Sequence, residues 1–346
     1  MNTNFKYSQK LFFLLLMGFS LCAFQACSDD DEMTDPSQNT TDIAMTGSVN
    51  ECGYRHANVS GYINLDSLPE GGNNLEVGIE IQSENSKPNH FEKKIAGSWS
   101  GKIDRETANS LRNKKFTVTF NGLDFATKYK YRLYVEYGGH TFWGNYNTLT
   151  TKDLISSDAV DLGLSVKWAS CNVGASSPED YGSYYAWGEN NEKSDYSWNT
   201  YKWYDDSNDS MSKYCTNSNS NTTDGKTVLD IEDDVAHIKL GDNWRIPTLE
   251  EMKELFEKCK WEWFTYRGIK GQLVTGPNGE CIFLPAAGYR GDTDFYNRGT
   301  YGNYWLATLV EETDNYACGF YFTIGDSRWL NSSFRYYGYT VRPVTE

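Results

Sequence analysis

A strict alternation of apolar and polar side chains marks residues 128–137. Tyr129, Tyr131, Leu133, Val135 and Tyr137 fall on one face, and Lys128, Lys130, Arg132, Tyr134 and Glu136 fall on the other. A period of two with Gly138-Gly139 directly behind it predicts a half-buried antiparallel strand that enters a tight turn. The runs "NVSGYINL" (58–65) and "LEVGIEIQS" (75–83) are similar. Several short strands separated by turns predict an all-β sandwich over residues 46–151.

A helical spacing of apolar residues appears only later, in "WRIPTLEEMKELFEKC" (244–259). Thr248 with Glu251 three residues on forms a capping box, which marks the start of a helix. Leu249, Met252, Leu255, Phe256 and Cys259 then recur at helical spacing and predict one buried stripe. A second, shorter helix is predicted from Asp233 to Leu240, with Gly241 as its C-terminal stop.

Residues 155–346 differ in texture from the first half. They hold nine of the eleven tryptophans and much glycine, and they end in the strand-like runs "ECIFLPAAGY", "NYWLATL", "NYACGFYFTI" and "YGYTVRPV". The polar stretch 205–226 has no means of burying a core and predicts a solvated surface loop. The chain is long enough for two domains with cores of their own, so we expect a boundary between 151 and 155.

The first domain resembles a fibronectin type III domain. The segment "GLDFATKYKYRLYVEYGG…TFWGNYNTLTT" is similar to the last strands of that family, and Leu123, Thr127 and Tyr129 fall where the family has its tyrosine corner. The resemblance rests on residues 116–151 and implies a spacer.

The second domain resembles the Fibrobacter succinogenes major paralogous domain. The residues that carry this are "VDLGLSVKWASCNVG", "GSYYAWGE", "WRIPTLEEMKEL", "IFLPAAGYR", "YWLAT" and "YGYTVRPV", in the family's order. The family is similar to C-type-lectin-like folds. The resemblance therefore implies an α+β domain with two helices, a small antiparallel sheet and long loops that do the binding. It also implies structural roles for Trp168, Trp187, Trp244 and Trp305.

The N-terminus has the pattern of a secretory signal peptide over residues 1–26: Lys6 and Lys10, then an apolar run from Leu11 to Phe19. Ala26-Cys27 resembles the lipobox of bacterial lipoproteins, which implies that Cys27 is acylated; the alternative is an ordinary secreted protein. An acidic and polar tether over 27–45 follows.

The tether begins with Asp29, Asp30, Asp31 and Glu32. This tetrad resembles the export signal of Bacteroidota-type surface lipoproteins, and the alternative is a polar linker. We expect a lipid-anchored outer-membrane protein that faces the exterior.

Charge and cysteine content narrow the function. The formal net charge is −15 with no basic cluster, which disfavours nucleic-acid binding. Cys52, Cys171, Cys215, Cys259, Cys281 and Cys318 contain no CxxC pair, so a zinc site is disfavoured, while disulfides remain open.

Catalytic patterns are scarce in the second domain. His237 is its one histidine, and the carboxylate pairs Glu250-Glu251 and Asp233-Asp234 are explained by helix capping. We therefore expect no enzyme. A formylglycine-generating activity, which the lectin-like resemblance raises, would need a reactive cysteine pair.

Binding candidates lie in two runs, 288–304 and 326–339. They combine flat aromatic rings with planar hydrogen-bond donors, a mixture typical of protein and glycan contacts. The candidates are Tyr289, Arg290, Phe295, Tyr296, Arg298, Tyr301, Arg328, Trp329, Asn331, Arg335 and Tyr336. Structural use of these rings in the core is the alternative.

We expect no cofactor. Asp292 and Asp294 offer oxygen ligands for calcium, although a glycine-rich turn explains the same residues. The expected function is adhesion or capture of a glycan or host protein at the cell surface. The alternative is a tip or accessory subunit of a surface assembly.

Overall fold

The structure is a computed structural model, and it describes residues 42–154, 159–207, 209–216, 223–241, 243–310, 313–324 and 328–346. The predicted signal peptide, Cys27, the acidic tetrad and most of the tether lie outside these residues. Residues 155–158, at the start of the predicted second domain, also lie outside them. Within the described part, no helix is both long and apolar enough to cross a membrane.

The first half folds into two facing antiparallel sheets. Its strands are β1 (Ala44–Cys52), β2 (His56–Ile63), β3 (Asn73–Ser83), β4 (Glu92–Lys102), β5 (Phe116–Asn121), β6 (Lys128–Tyr137), β7 (His140–Trp143) and β8 (Asn147–Thr150). One sheet has the order β1-β2-β5 and the other β4-β3-β6-β7, with β8 also paired to β6. A short helix, α1 (Arg105–Leu111), was not predicted; Asp104 caps it by accepting from the Thr107 amide at 2.8 Å.

The central strand β6 explains why the sandwich closes. All five of its predicted core residues are at most 7% exposed. Tyr129 forms the predicted tyrosine corner, because its hydroxyl accepts a hydrogen bond from the Asp124 amide at 2.8 Å. The first half is therefore a fibronectin type III-like β-sandwich. Tyr134, expected on the polar face, is also buried: its ring lies over Gly78, where a Cβ would approach Tyr134 Cζ to 2.4 Å.

The second half is built from several small antiparallel sheets. Its strands are β9 (Ala159–Val160), β10 (Lys167–Ala169), β11 (Tyr204–Asp205), β12 (Ser210–Met211), β13 (Lys260–Tyr266), β14 (Ile269–Thr275), β15 (Cys281–Pro285), β16 (Tyr289–Gly291), β17 (Asp294–Tyr296), β18 (Tyr301–Leu309), β19 (Tyr316–Thr323), β20 (Arg328–Phe334) and β21 (Val344–Thr345). The sheet orders are β21-β10-β9, β11-β12, β13-β14-β15, β16-β17 and β18-β19-β20. Short 3-10 turns lie at Leu65–Ser67 in the first half and at Trp198–Thr200 and Ile231–Asp233 in the second half.

Both predicted helices are present in this half. Helix α2 (Val235–Leu240) has Asp234 as its N-cap and Gly241 at φ 97° as its C-cap. Helix α3 (Leu249–Lys258) has the predicted capping box, in which Thr248 and Glu251 satisfy each other's amides. Its apolar stripe packs with the sheets β13-β14-β15 and β18-β19-β20 around a common core.

Two arginines lie in the interior of the second half and tie its loops together. Arg342 is 1% exposed and donates to the carbonyls of Ala169, Ser170 and Phe283 and to Asn172 Oδ1, at 2.8–3.0 Å. Arg335 is 0% exposed. The cores also hold Trp168, Trp187 and Trp305, each at most 1% exposed, while Trp244 is half-buried.

A seam joins the two halves, defined here by Tyr54, Arg55, Phe125 and Asp153 on one side and Glu262, Phe264, Tyr266, Arg267 and Glu280 on the other. Its ion pairs are Arg55–Glu262 at 2.6 Å and Arg267–Asp153 at 2.7 Å. Tyr54 donates to Glu280 at 2.6 Å. Phe125 meets Phe264 and Tyr266 with ring centroids 5.5 Å apart in both pairs.

Among the residues that the structure describes, strand pairing is confined to each half, yet both halves belong to one compact unit. The division into two domains therefore stays a prediction.

Candidate functional site: an aromatic face

Two of the predicted binding tyrosines meet across the β16–β17 hairpin. Tyr289 and Tyr296 are directly opposite in register, and their rings stack with centroids 5.1 Å apart and planes 21° apart. A Cβ on Gly291 would lie 3.2 Å from Tyr337 and 3.4 Å from Tyr296. The missing side chain at this position therefore gives these two rings room to lie against the hairpin.

A second pair lies across the β19–β20 hairpin. Tyr321 is directly opposite Trp329, and their planes are parallel to within 1° at a centroid distance of 5.9 Å. The Tyr321 hydroxyl bonds to Ser333 Oγ at 2.6 Å and also contacts the Tyr339 hydroxyl. The ring next to Trp329 is thus held at its far end, while Trp329 is 40% exposed.

The two pairs are joined by the strand-like segment 337–339. Tyr339 is buried and stacks on Trp305 at 4.2 Å, and its ring edge contacts both Tyr289 (6.0 Å) and Tyr321 (5.8 Å). Tyr337 is nearly parallel to Tyr339 and lies 5.2 Å from Tyr289. We call the outer rings the aromatic face: Tyr289, Tyr296, Tyr321, Trp329 and Tyr337.

The aromatic face continues along one side through Tyr336. This ring lies 4.6 Å from both Tyr337 and Trp198, and it stacks on Phe334 at 5.4 Å. Trp198 in turn lies 5.2 Å from Tyr204. Residues from four separate stretches of chain therefore form one contiguous run of aromatic rings.

Four tyrosines of this region stay protonated well beyond neutral pH. Burial raises the pKa of Tyr289, Tyr321 and Tyr336, and it raises the pKa of Tyr339 still further. Tyr289 and Tyr321 of the aromatic face, and Tyr336 and Tyr339 beside it, are therefore uncharged at neutral pH.

An uncharged polar side chain lies in the same row of the sheet. Asn303 is opposite Tyr321 in register and is 1% exposed. Neither amide atom of Asn303 has a hydrogen-bond partner among the described residues. A buried amide without hydrogen-bond partners lowers the free energy of unfolding by about 1–3 kcal/mol. Asn303 is therefore an unfavourable residue among the surrounding aromatic rings.

The predicted arginines do not join the aromatic face. Arg290 donates to the carbonyls of Lys193 (2.9 Å), Ser194 (3.1 Å) and Thr293 (3.2 Å). Arg298 donates to the Tyr184 hydroxyl at 3.0 Å and covers Phe295 at 3.5 Å. These two arginines hold loops in place.

Arg328 and Arg335, which were also predicted to bind a ligand, lie away from the aromatic face. Arg328 lies over the rings of Phe256 and Trp261 at 5.2 and 5.1 Å, on the opposite face of β20 from Trp329. Arg335, predicted as a binding candidate, is 0% exposed and therefore cannot contact a ligand at the surface. Its guanidinium donates to the Tyr201 hydroxyl (2.9 Å) and to backbone carbonyls, including that of Asp314 (2.9 Å). A fully buried guanidinium with its donors occupied is a structural cross-link.

The remaining candidates occupy the surroundings. Asn331 is exposed and lies two residues beyond Trp329, on the same face of β20. Phe295 is 47% exposed but packs against Tyr184 and Arg298 in a neighbouring patch. Tyr301 is half-buried and pairs with Thr323 at the start of β18.

The carboxylates proposed for calcium are both exposed. Asp292 lies at the hairpin turn with φ 49°, and Asp294 is in β17. In the described part of the chain, no three His, Cys, Asp or Glu side chains are grouped closely enough to hold a metal ion. Two carboxylates alone make an incomplete calcium site, since that ion takes six to eight oxygens.

Three important rings were missed from the sequence: Tyr321, Tyr337 and Tyr339. Tyr321 was overlooked because its neighbours Phe320 and Phe322 point into the core on the other face of β19. The signal for the other two was the alternation in "YYGYT", which places Tyr337 and Tyr339 on one side of an extended segment.

The groups considered for catalysis have structural partners. Asp233 bonds to Lys213 (2.6 Å), Lys202 (3.1 Å) and Tyr214 (2.7 Å), and Asp234 caps α2. The six cysteines of the described residues are unbridged. Burial raises the pKa of Cys259 to about 11, and it raises the pKa of Cys281 and Cys318 as well, so these thiols are protonated at neutral pH.

No protein-family model and no curated protein matches the chain. The sensor domain of the anti-sigma factor RsgI4 of Pseudobacteroides cellulosolvens is a similar solved structure, with 19% identity and a TM-score of 0.26 over 35% of this chain and 82% of that chain. The fibronectin type III domain of human fibronectin type III domain containing protein 3 is similar over 32% of this chain and 85% of its own, with 13% identity and a TM-score of 0.23. At these identities and TM-scores, neither structure indicates a function for this chain.

Proposed function

We propose that this protein is a binding protein of the cell surface, and that it captures a glycan or a host protein through the aromatic face. The observation that carries this proposal is the convergence of five outer rings from three segments. Two of them, Tyr296 at 38% and Trp329 at 40%, are substantially exposed. Large exposed aromatic side chains that adjoin one another mark interaction sites far more often than scattered ones do.

The way the rings are held supports binding. Trp329 lies beside Tyr321, whose hydroxyl is fixed by Ser333, and Tyr296 lies on Tyr289. Rigid aromatic side chains lose little conformational entropy when a ligand covers them, so more of the contact energy appears as affinity. A C-type-lectin-like fold for the second half, which the sequence motifs imply, belongs to the same proposal.

An array experiment tests the proposal. The mature chain is applied to glycan and extracellular-matrix arrays, and we expect binding that Trp329→Ala and Tyr296→Ala each weaken at least about fivefold. Loss of one stacked ring costs about 1–3 kcal/mol, which corresponds to this range. Tyr62→Ala is the matched control, because Tyr62 is an equally exposed ring (36%) on the sandwich. Binding that survives both substitutions in the aromatic face would refute the proposal.

Location is a separate part of the proposal and has its own test. We infer that Cys27 carries the lipid anchor and that Asp29, Asp30, Asp31 and Glu32 direct the protein outward. Cys27→Ser is expected to move the protein from the membrane fraction to the soluble fraction. Neutralising the four acids should leave it in the membrane but protected from protease added to whole cells. Unchanged protease sensitivity would reduce the tetrad to a linker.

A further inference from the structure

We propose that the ligand of the aromatic face is a neutral glycan, bound by stacking of sugar rings on Trp329 and Tyr296 without ionic contacts. This inference rests on the proposed function and narrows it to one chemical class. It follows from which groups the aromatic face offers and which charged groups are turned away from it.

The arginines near the aromatic face are directed away from it. Arg290 is bonded to three backbone carbonyls, and Arg335 is buried. Arg298 is exposed and donates one hydrogen bond, to the Tyr184 hydroxyl, and it lies over Phe295 in the neighbouring patch. Arg328 lies on the other side of its strand, over Trp261. Recognition of carboxylate or sulfate groups normally uses a guanidinium fork or an ammonium group. None of these four guanidinium groups is directed to the rings.

The nearby charge has the wrong sign for an anionic ligand. Asp292 is close enough to Tyr336 to help raise the pKa of that hydroxyl, after burial and the contact with Tyr337. Asp294 is exposed in the hairpin that carries Tyr296, and the whole chain has a formal net charge of −15. Sulfated or sialylated glycans would therefore be repelled as they approach.

The groups that remain suit an uncharged sugar. The rings present π faces with negative potential, which attract the polarised C–H groups on one side of a pyranose. Tyrosine hydroxyls and the exposed Asn331 amide supply neutral donors and acceptors for sugar hydroxyls.

The test uses chemically matched pairs of ligands. The Cys27→Ser chain, which lacks the anchor, is titrated with neutral α- and β-linked glucans, mannan and xylan, and with the sulfated derivative of each. We expect at least one neutral polymer to bind and its sulfated derivative to bind at least tenfold more weakly. Binding should change less than about twofold between about 50 mM and about 500 mM salt, because no ion pair is screened. Trp329→Ala should abolish it, and Tyr62→Ala should not affect it.

The outcomes separate this inference from the proposal beneath it. Tighter binding of the sulfated polymers, or strong weakening by salt, would overturn the neutral-glycan inference. Binding of a matrix protein but of no glycan, still lost in Trp329→Ala, would also overturn it while the capture function stood. If neither a glycan nor a matrix protein bound in a way that depended on Trp329, the neutral-glycan inference and the capture function would both fail.

Discussion

Replacing Arg342 with methionine is expected to lower the free energy of unfolding by about 3–5 kcal/mol. The side chain is fully buried, and its five-donor guanidinium satisfies three backbone carbonyls and Asn172 Oδ1. Methionine fills much of the same volume but leaves these four oxygens without their donors in the interior. Unfolding in urea, followed by tryptophan fluorescence, measures the loss directly.

Arg298→Met is the matched control for this experiment. Arg298 is exposed and bonds to one hydroxyl, so its replacement should change stability by less than about 1 kcal/mol. An Arg342→Met protein as stable as the Arg298→Met protein would show that the buried guanidinium is dispensable. The segment 169–172 and strand β15 would then be held together by packing alone.

The second large effect is expected at high pH. Burial is the main reason that the pKa values of Tyr201, Tyr304 and Tyr339 are raised in the folded protein. In the unfolded chain these hydroxyls ionise near pH 10. Stability from these groups is therefore fully present below about pH 10 and is lost as the pH rises towards the folded-state pKa values.

The free energy of unfolding is expected to decrease with a defined slope above about pH 10. Each tyrosine that is protonated in the folded state and ionised in the unfolded state lowers the free energy of unfolding by about 1.4 kcal/mol per pH unit. Three such residues give about 4 kcal/mol per pH unit above pH 10. Urea unfolding at several values from about pH 8 to about pH 11 tests this, with the tyrosinate absorbance as a second readout. Free energies that stay level across that range, with tyrosinate forming in the folded protein, would contradict it.

Patterns confined to one segment were predicted correctly. The capping box of α3, the Gly241 stop of α2 and the alternation in β6 depend on residues a few positions apart. The tyrosine corner at Tyr129 is equally local, since its partner Asp124 is five residues away. Such features depend on backbone geometry and short-range hydrogen bonds, so the local pattern of residues is enough to predict them.

Features that depend on distant residues were not predicted. The sequence placed aromatic residues in two runs, but only the strand register and Tyr339 join Tyr289 with Tyr321. Arg335 was misjudged because a guanidinium in a polar, aromatic run is ordinarily exposed. Its guanidinium is held in the interior by Tyr201 and Asp314, which lie 134 and 21 residues away from it in the sequence. Long-range pairing of this kind has no local signal.

The seam between the halves has a mechanical consequence. A ligand that pulls on the aromatic face while the chain is held at its N-terminal end applies load across the described junction, from β13 and β15 to the sandwich. The Arg55–Glu262 and Arg267–Asp153 ion pairs and the rings around Phe125 must give way before the halves can separate. A pull of this kind would therefore load these ion pairs and ring contacts before it loads the core of either half.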